Sequence, residues 1–182
     1  ESGHAVERND IGALIAEALA TPLQVEDLAV TITSSVGMAS LPQHGTTLDD
    51  LTRHADIALY EAKRQGRNRA VTFDGSMAKD LSERHRIETN LREAIRLETL
   101  ELYYQPLVDT GTRSVSGFEA LMRWNHPVHG FVSPGVFVPL AEETGLIDKL
   151  GAYALENACR HAAHWPRDLK IAVNLSPVQF RN

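Results

Sequence analysis

The sequence predicts a mixed α/β chain, and three observations carry that reading. A capped helical stripe lies in its first half, alternating β-rich strands flank an acidic residue in its second, and two further helical stripes precede a short apolar run. Hydrophobic residues make up 43% of the 182 positions, an ordinary share for a globular chain with room for one or two small domains. There is no run of 18 apolar residues and no recognisable signal peptide, so a cytoplasmic setting is expected, with any membrane anchor of a longer protein left to regions outside the chain. A formal charge of −6 argues against binding a nucleic-acid polymer through a basic surface.

Taken in order, residues 30–40 alternate through β-favouring side chains and are expected to form one strand. Thr47 and Asp50 then offer a capping box, and Leu48, Leu51, Ala55, Ala58, Leu59 and Ala62 recur at helical spacing as far as Gly66. Lys63, Arg64, Arg67 and Arg69 gather where this helix ends, which suits the negative end of its macrodipole. Between residues 75 and 99, Leu81, Ile87, Leu91, Ala94 and Ile95 form a stripe amid five acids and five bases, balanced as in a connecting helix rather than a disordered linker.

Residues 102–108 read as a strand, 109–112 as a turn, and 117–124 as the antiparallel return strand. Alternation turns Glu119, Leu121 and Arg123 toward one face. A same-face ion pair between Glu119 and Arg123 accounts for the pattern as simply as a site does. A lone carboxylate on an otherwise apolar strand, with a guanidinium fork two pleats away, suits a metal beside a phosphate. Phe137, Leu140 and Ala141, then Ile147, Leu150, Ala154 and Ala158, mark two helix faces. Residues 170–173 form an apolar run ending at Asn174 and broken by Pro177.

Several side chains read as structural. Cys159, on a stripe with Leu155, Ala158 and Ala162, is expected to be a small core residue, and as the single cysteine it excludes an internal disulfide framework. The pairs His126/His129 and His161/His164 have metal-ligand spacing but no partner carboxylate or cysteine nearby, so surface or capping roles are expected. Glu142 and Glu143 read as helix-surface acids. Trp124 and Trp165 read as packing residues, with Trp124 also a candidate for the mouth of a site.

The ordered motifs YYQPLVD, GFEALMRWNHP, FVPLAEETGLI and AVNLSP resemble the EAL family of cyclic di-GMP phosphodiesterases over about residues 98–182. That resemblance implies a (β/α)8-type barrel with its site at the C-terminal ends of the strands. It further implies that Glu119 and Asn174 bind Mg2+ or Mn2+, that Arg123 holds a phosphate, and that Gln105, Leu121 and Pro134 touch the dinucleotide. Hard divalent cations favour such oxygen donors. The run SVGMASLPQHGTTLDDLTRHADIALYEAKRQGRNRAVTF resembles the C-terminal half of a GGDEF, or diguanylate cyclase, domain, palm-like with an antiparallel sheet. By that likeness Lys63 and Arg67, four apart on one helical face, reach GTP phosphates.

The expected organisation is therefore a fragment of a tandem GGDEF–EAL protein: residues 1–74 from the first domain, 75–99 a connecting helix, 100–182 the start of the second. The expected activity of the parent is metal-dependent hydrolysis of cyclic di-GMP to linear pGpG. The alternative is a non-catalytic receptor that binds the dinucleotide and signals. The remaining metal carboxylates and the GGDEF signature would lie outside the chain, so the fragment alone is expected to be inactive. A homodimer of the parent is left open.

Overall fold

A computed structural model describes residues 8–166 and 168–180. The chain divides into two compact units, 1–83 and 84–182. Among the described residues no helix is long and apolar enough to cross a membrane.

The first unit holds α1 (Arg8–Ala20), the hairpin β1 (Leu23–Val25) and β2 (Leu28–Val30), β3 (Val36–Met38), α2 (Leu48–Arg64), β4 (Ala70–Thr72) and the beginning of α3 (Gly75–Arg96). The expected single strand over 30–40 is in fact two. Its first residue belongs to β2, paired with β1, and its later part is β3, paired with β4, so the backbone between must leave one ladder before entering the other. Nor is the sheet wholly antiparallel as expected. β1 and β2 run antiparallel, whereas β3 and β4 run parallel because α2 crosses over between them.

Helix α2 follows its sequence signals. Thr47 is the N-cap, its Oγ1 accepting the Asp50 N–H at 3.1 Å, and the Asp50 carboxyl is held below the usual carboxylate range chiefly by its hydrogen bond with Thr47. Ala58 and Ala62 are fully buried. Gly37 lets α2 sit directly on β3: a Cβ there would lie 2.1 Å from the Ala55 carbonyl oxygen and 2.2 Å from the Leu59 nitrogen.

The second unit comprises the rest of α3, β5 (Glu101–Val108), β6 (Val115–His126), β7 (Gly130–Val132), α4 (Pro134–Thr144), α5 (Ile147–Ala162), β8 (Lys170–Val173) and a 3-10 turn, Pro177–Phe180. β6 is the organising strand. It pairs antiparallel with β5 and β7 and parallel with β8. The β5–β6 connection is pinned by Asp109, whose Oδ1 accepts the N–H groups of Gly111 at 3.0 Å and Thr112 at 2.7 Å. β7 had no sequence signal of its own: three residues are too few to show a period, and its pairing with residues 124–126 of β6 is what makes it a strand.

Alternation along β6 sorts its side chains. Ala120 and Trp124 are buried on one face, while Glu119, Leu121 and Arg123 are half-buried on the other. The buried face packs on α4, α5 and the end of α3 through a core that includes Leu91, Trp124, Phe137, Ile147 and Leu150. Fully burying side chains the size of Leu91 or Phe137 contributes about 1.5–3 kcal/mol each. Trp124, 2% exposed and edge-on to Phe137 at 5.8 Å, is a core residue and not part of a site mouth. Cys159 is exposed, contrary to expectation. The buried stripe of α5 runs through Ile147, Leu150, Ala154 and Ala158, and one residue beyond Ala158 the helix has turned about 100° toward solvent.

Candidate functional site

The register of the β5–β6 hairpin sets Gln105 opposite Glu119, Tyr103 opposite Leu121 and Glu101 opposite Arg123. Directly paired residues present their side chains on one face, so these six share the side of the sheet away from the core. On the other edge of β6, Glu119 aligns with Ala172 of β8. Asn174 lies two residues beyond Ala172 and so keeps the same parity.

Gly117 makes that second alignment possible. A Cβ at this position would stand 2.4 Å from the Lys170 carbonyl oxygen, inside the ladder that joins β6 to β8. With the strands this close, Asn174 Nδ2 donates to Glu119 Oε1 at 2.6 Å across a separation of 55 residues. The expected pair is thus in contact. Among the described residues no ion pair joins Glu119 to Arg123. The Arg123 Nη1 instead donates to the Met122 carbonyl at 2.9 Å, and its guanidinium lies over the Tyr103 ring.

Leu121, Arg123, Pro134 and Asn174 all line one cavity of about 340 Å³, beside Glu142, Ser176 and apolar residues of α4 and α5. Pro134 opens α4, behind the N-cap Ser133, whose Oγ accepts the Gly135 N–H at 3.3 Å. Neither Glu119, half-buried on β6, nor Gln105, exposed on β5, lines this cavity. Glu142 is more than a surface acid. Ser176 Oγ donates to its Oε1 at 2.6 Å and accepts the Val178 N–H at 3.2 Å, tying the turn after Asn174 to α4. That link spans 34 residues between two different elements, and no local pattern announces it.

The donor set suits a hard cation. A carboxylate and an amide supply oxygen ligands in reach of one another, on a face that is neither sealed in the core nor fully in water. Among the described residues, no three of His, Cys, Asp and Glu converge. The histidine pairs are engaged elsewhere. His126 and His129 stack at 4.5 Å, with His126 Nδ1 accepting the backbone N–H groups of Val128 and His129. Burial, helped by the charges of His129 and Arg86, pushes the His126 pKa down. His161 meets the Tyr104 hydroxyl at 2.6 Å, and His164 Nδ1 lies 3.0 Å from the Arg160 carbonyl.

In the first unit, Lys63 and Arg67 do not share a helical face. α2 ends at Arg64, Gly66 and Arg67 have φ of 108° and 63°, and the Arg67 N–H turns back to the Ala62 carbonyl at 3.1 Å. Both side chains are exposed. Four-residue spacing sets two side chains on one face only while the helix continues, and here it stops between them.

The ladder that joins β6 to β8 thus sets an acid on the first strand beside an amide just past the second. The chain belongs to the EAL domain family, whose model matches residues 88–182, and the diguanylate cyclase, GGDEF domain model matches residues 4–69 ahead of it. It is 42% identical over 166 residues to the bifunctional diguanylate cyclase/cyclic di-GMP phosphodiesterase MucR of Pseudomonas aeruginosa, a match covering 89% of this chain and 24% of that protein. It is 37% identical over 166 residues to the cyclic di-GMP phosphodiesterase PdeR of Escherichia coli, covering 89% of this chain and 25% of that one. A solved structure of the MucR phosphodiesterase in complex with c-di-GMP matches at 44% identity with a TM-score of 0.49, covering 53% of this chain and 40% of that chain. The chain spans about a quarter of the length of these two curated relatives.

Proposed function

We propose that the protein carrying this chain hydrolyses cyclic di-GMP to linear pGpG in a reaction dependent on Mg2+ or Mn2+, with residues 100–182 supplying part of the site, 75–99 a connecting helix and 1–74 part of a cyclase-like domain. The contact between Glu119 and Asn174 carries this reading, because it brings two oxygen-bearing side chains from two strands to one point. Activities named for the similar proteins support it.

In this reading Glu119 Oε and Asn174 Oδ1 hold the divalent ion, with further ligands required to complete its shell. When bound, the ion lowers the pKa of a water and counters charge on phosphate. Arg123 offers its remaining N–H donors to a phosphate oxygen and stabilises charge that grows there as the ester bond breaks. Gln105, Leu121 and Pro134 border the dinucleotide and orient it. Glu142, through Ser176, keeps the turn after Asn174 in place. In the cyclase-like part, Lys63 and Arg67 remain candidates for GTP phosphates as exposed cations around one turn.

The test is turnover by the full-length protein. Incubated with cyclic di-GMP and Mn2+, it is expected to release linear pGpG, and EDTA is expected to stop the reaction. Tight binding of cyclic di-GMP without any product would overturn the hydrolase reading in favour of a receptor.

A further inference from the structure

We propose that Tyr103 is the positioning residue that aims Arg123 at the ligand phosphate, by holding the guanidinium over its ring. This rests on Arg123 being the phosphate-facing residue of the proposed hydrolase.

The register makes a different partner the obvious one. Glu101 stands directly opposite Arg123 on β5, on the same face and with the opposite charge. A cross-strand ion pair is the ordinary outcome of that arrangement. It does not form among the described residues. Glu101 instead accepts from Asn125 Nδ2 at 3.4 Å, and Arg123 leans along the strand so that its guanidinium carbon lies 5.6 Å from the centroid of the Tyr103 ring. Tyr103 is the diagonal neighbour, one pleat closer to Gln105 and Glu119. Diagonal pairs are within reach of aromatic and long side chains, and a guanidinium within about 6 Å of a ring centroid is attracted by the ring quadrupole.

The consequence is directional. This contact draws the charge away from Glu101 and toward the end of the face where Glu119 meets Asn174. One N–H is already committed to the Met122 carbonyl, and the others remain on the planar edge, which is the part that grips a phosphate. Tyr103 itself is 53% exposed, so its ring is not held there by core packing. The ring, not the hydroxyl, makes the contact with Arg123.

A coupled pair of substitutions in the full-length protein separates the alternatives. Binding of cyclic di-GMP is measured calorimetrically in EDTA, and kcat and KM are measured with Mn2+. Arg123→Ala is expected to weaken binding by about tenfold or more. Tyr103→Leu is expected to weaken it about three- to tenfold, mostly through KM, while Tyr103→Phe, which keeps the ring, stays within about twofold of the parent. With Arg123 already replaced by Ala, adding Tyr103→Leu should cost nothing more. Equal binding by the Leu variant and the parent overturns the proposal, as does a Phe variant as weak as Leu, or a Tyr103→Leu loss that persists undiminished without Arg123. An Arg123→Ala variant that binds normally would instead refute the phosphate role of Arg123, and the role of Tyr103 would fall with it. Thermal melting of each variant checks folding, and the Phe and Arg123→Ala arms stand if Tyr103→Leu alone fails to fold.

Discussion

Two parallel strand pairs, one in each unit, give opposite results from similar architecture. In the first unit β3 and β4 are joined through α2; in the second, β6 and β8 are joined through α4 and α5. The cations that looked paired in the first, Lys63 and Arg67, lie only four residues apart, yet a helix end falls between them. Glu119 and Asn174 lie 55 residues apart and touch. Sequence spacing predicts proximity only within an unbroken element, whereas a ladder imposes it at any separation, because every pair along two joined strands inherits one register.

The largest expected effect tests the productive half of this contrast. Glu119→Gln keeps the shape of the side chain and its contact with Asn174 but removes the charge. Turnover of cyclic di-GMP by the full-length protein is expected to fall at least about a hundredfold, with the melting temperature near that of the parent. Unchanged kcat would end the metal-ligand assignment of Glu119.

The register itself can be broken without touching the polar pair. Gly117→Val forces a Cβ against the Lys170 carbonyl, so β8 must shift from β6. Overpacking of this kind costs about 1–3 kcal/mol, and loss of activity should accompany the fall in melting temperature because Asn174 moves with β8. A Gly117→Val protein that melts lower but turns over normally would show that the contact between Glu119 and Asn174 is dispensable.

A smaller effect is expected from the helix that closes the other strand pair. Thr47→Ala removes the acceptor for the Asp50 N–H and should destabilise the first unit by about 1 kcal/mol in denaturant titration, leaving cyclic di-GMP hydrolysis unchanged. A change in hydrolysis would reveal that the first unit regulates the second.

The smallest effect is acidic. Burial lowers the His126 pKa, so its folded value lies below the unfolded value of about 6.5. In the window between those values the unfolded chain binds more protons, so this contribution is intact above the unfolded pKa and is lost as pH falls through the folded one. Melting temperatures of the parent and a His126→Asn variant should therefore run parallel above about pH 7 and draw together as the pH falls below about 6.5. Parallel curves throughout would remove His126 as the titrating group.

Much of the local structure was legible beforehand. The Thr47 cap, the apolar stripe of α2, the buried residues of α4 and α5 and the facing of Glu119, Leu121 and Arg123 all follow from periods of 3.6 and 2, which each segment carries within itself. The failures came where a partner decides. Residues 30–40 split because their two ends pair with different strands, β7 exists through its pairing with β6, and Cys159 is outside because the burial stripe passes through Ala158. The bond from Ser176 to Glu142 and the lean of Arg123 toward Tyr103 rather than Glu101 had no signal in spacing.

The amino-acid order by itself determined which side chains share a face and where helices begin, since those follow from backbone geometry repeated residue by residue. Only the tertiary structure decided which faces meet. That choice depends on ladder register and on close approaches such as the one Gly117 permits, and these are set by contacts between segments whose separation along the chain carries no information about their distance in space.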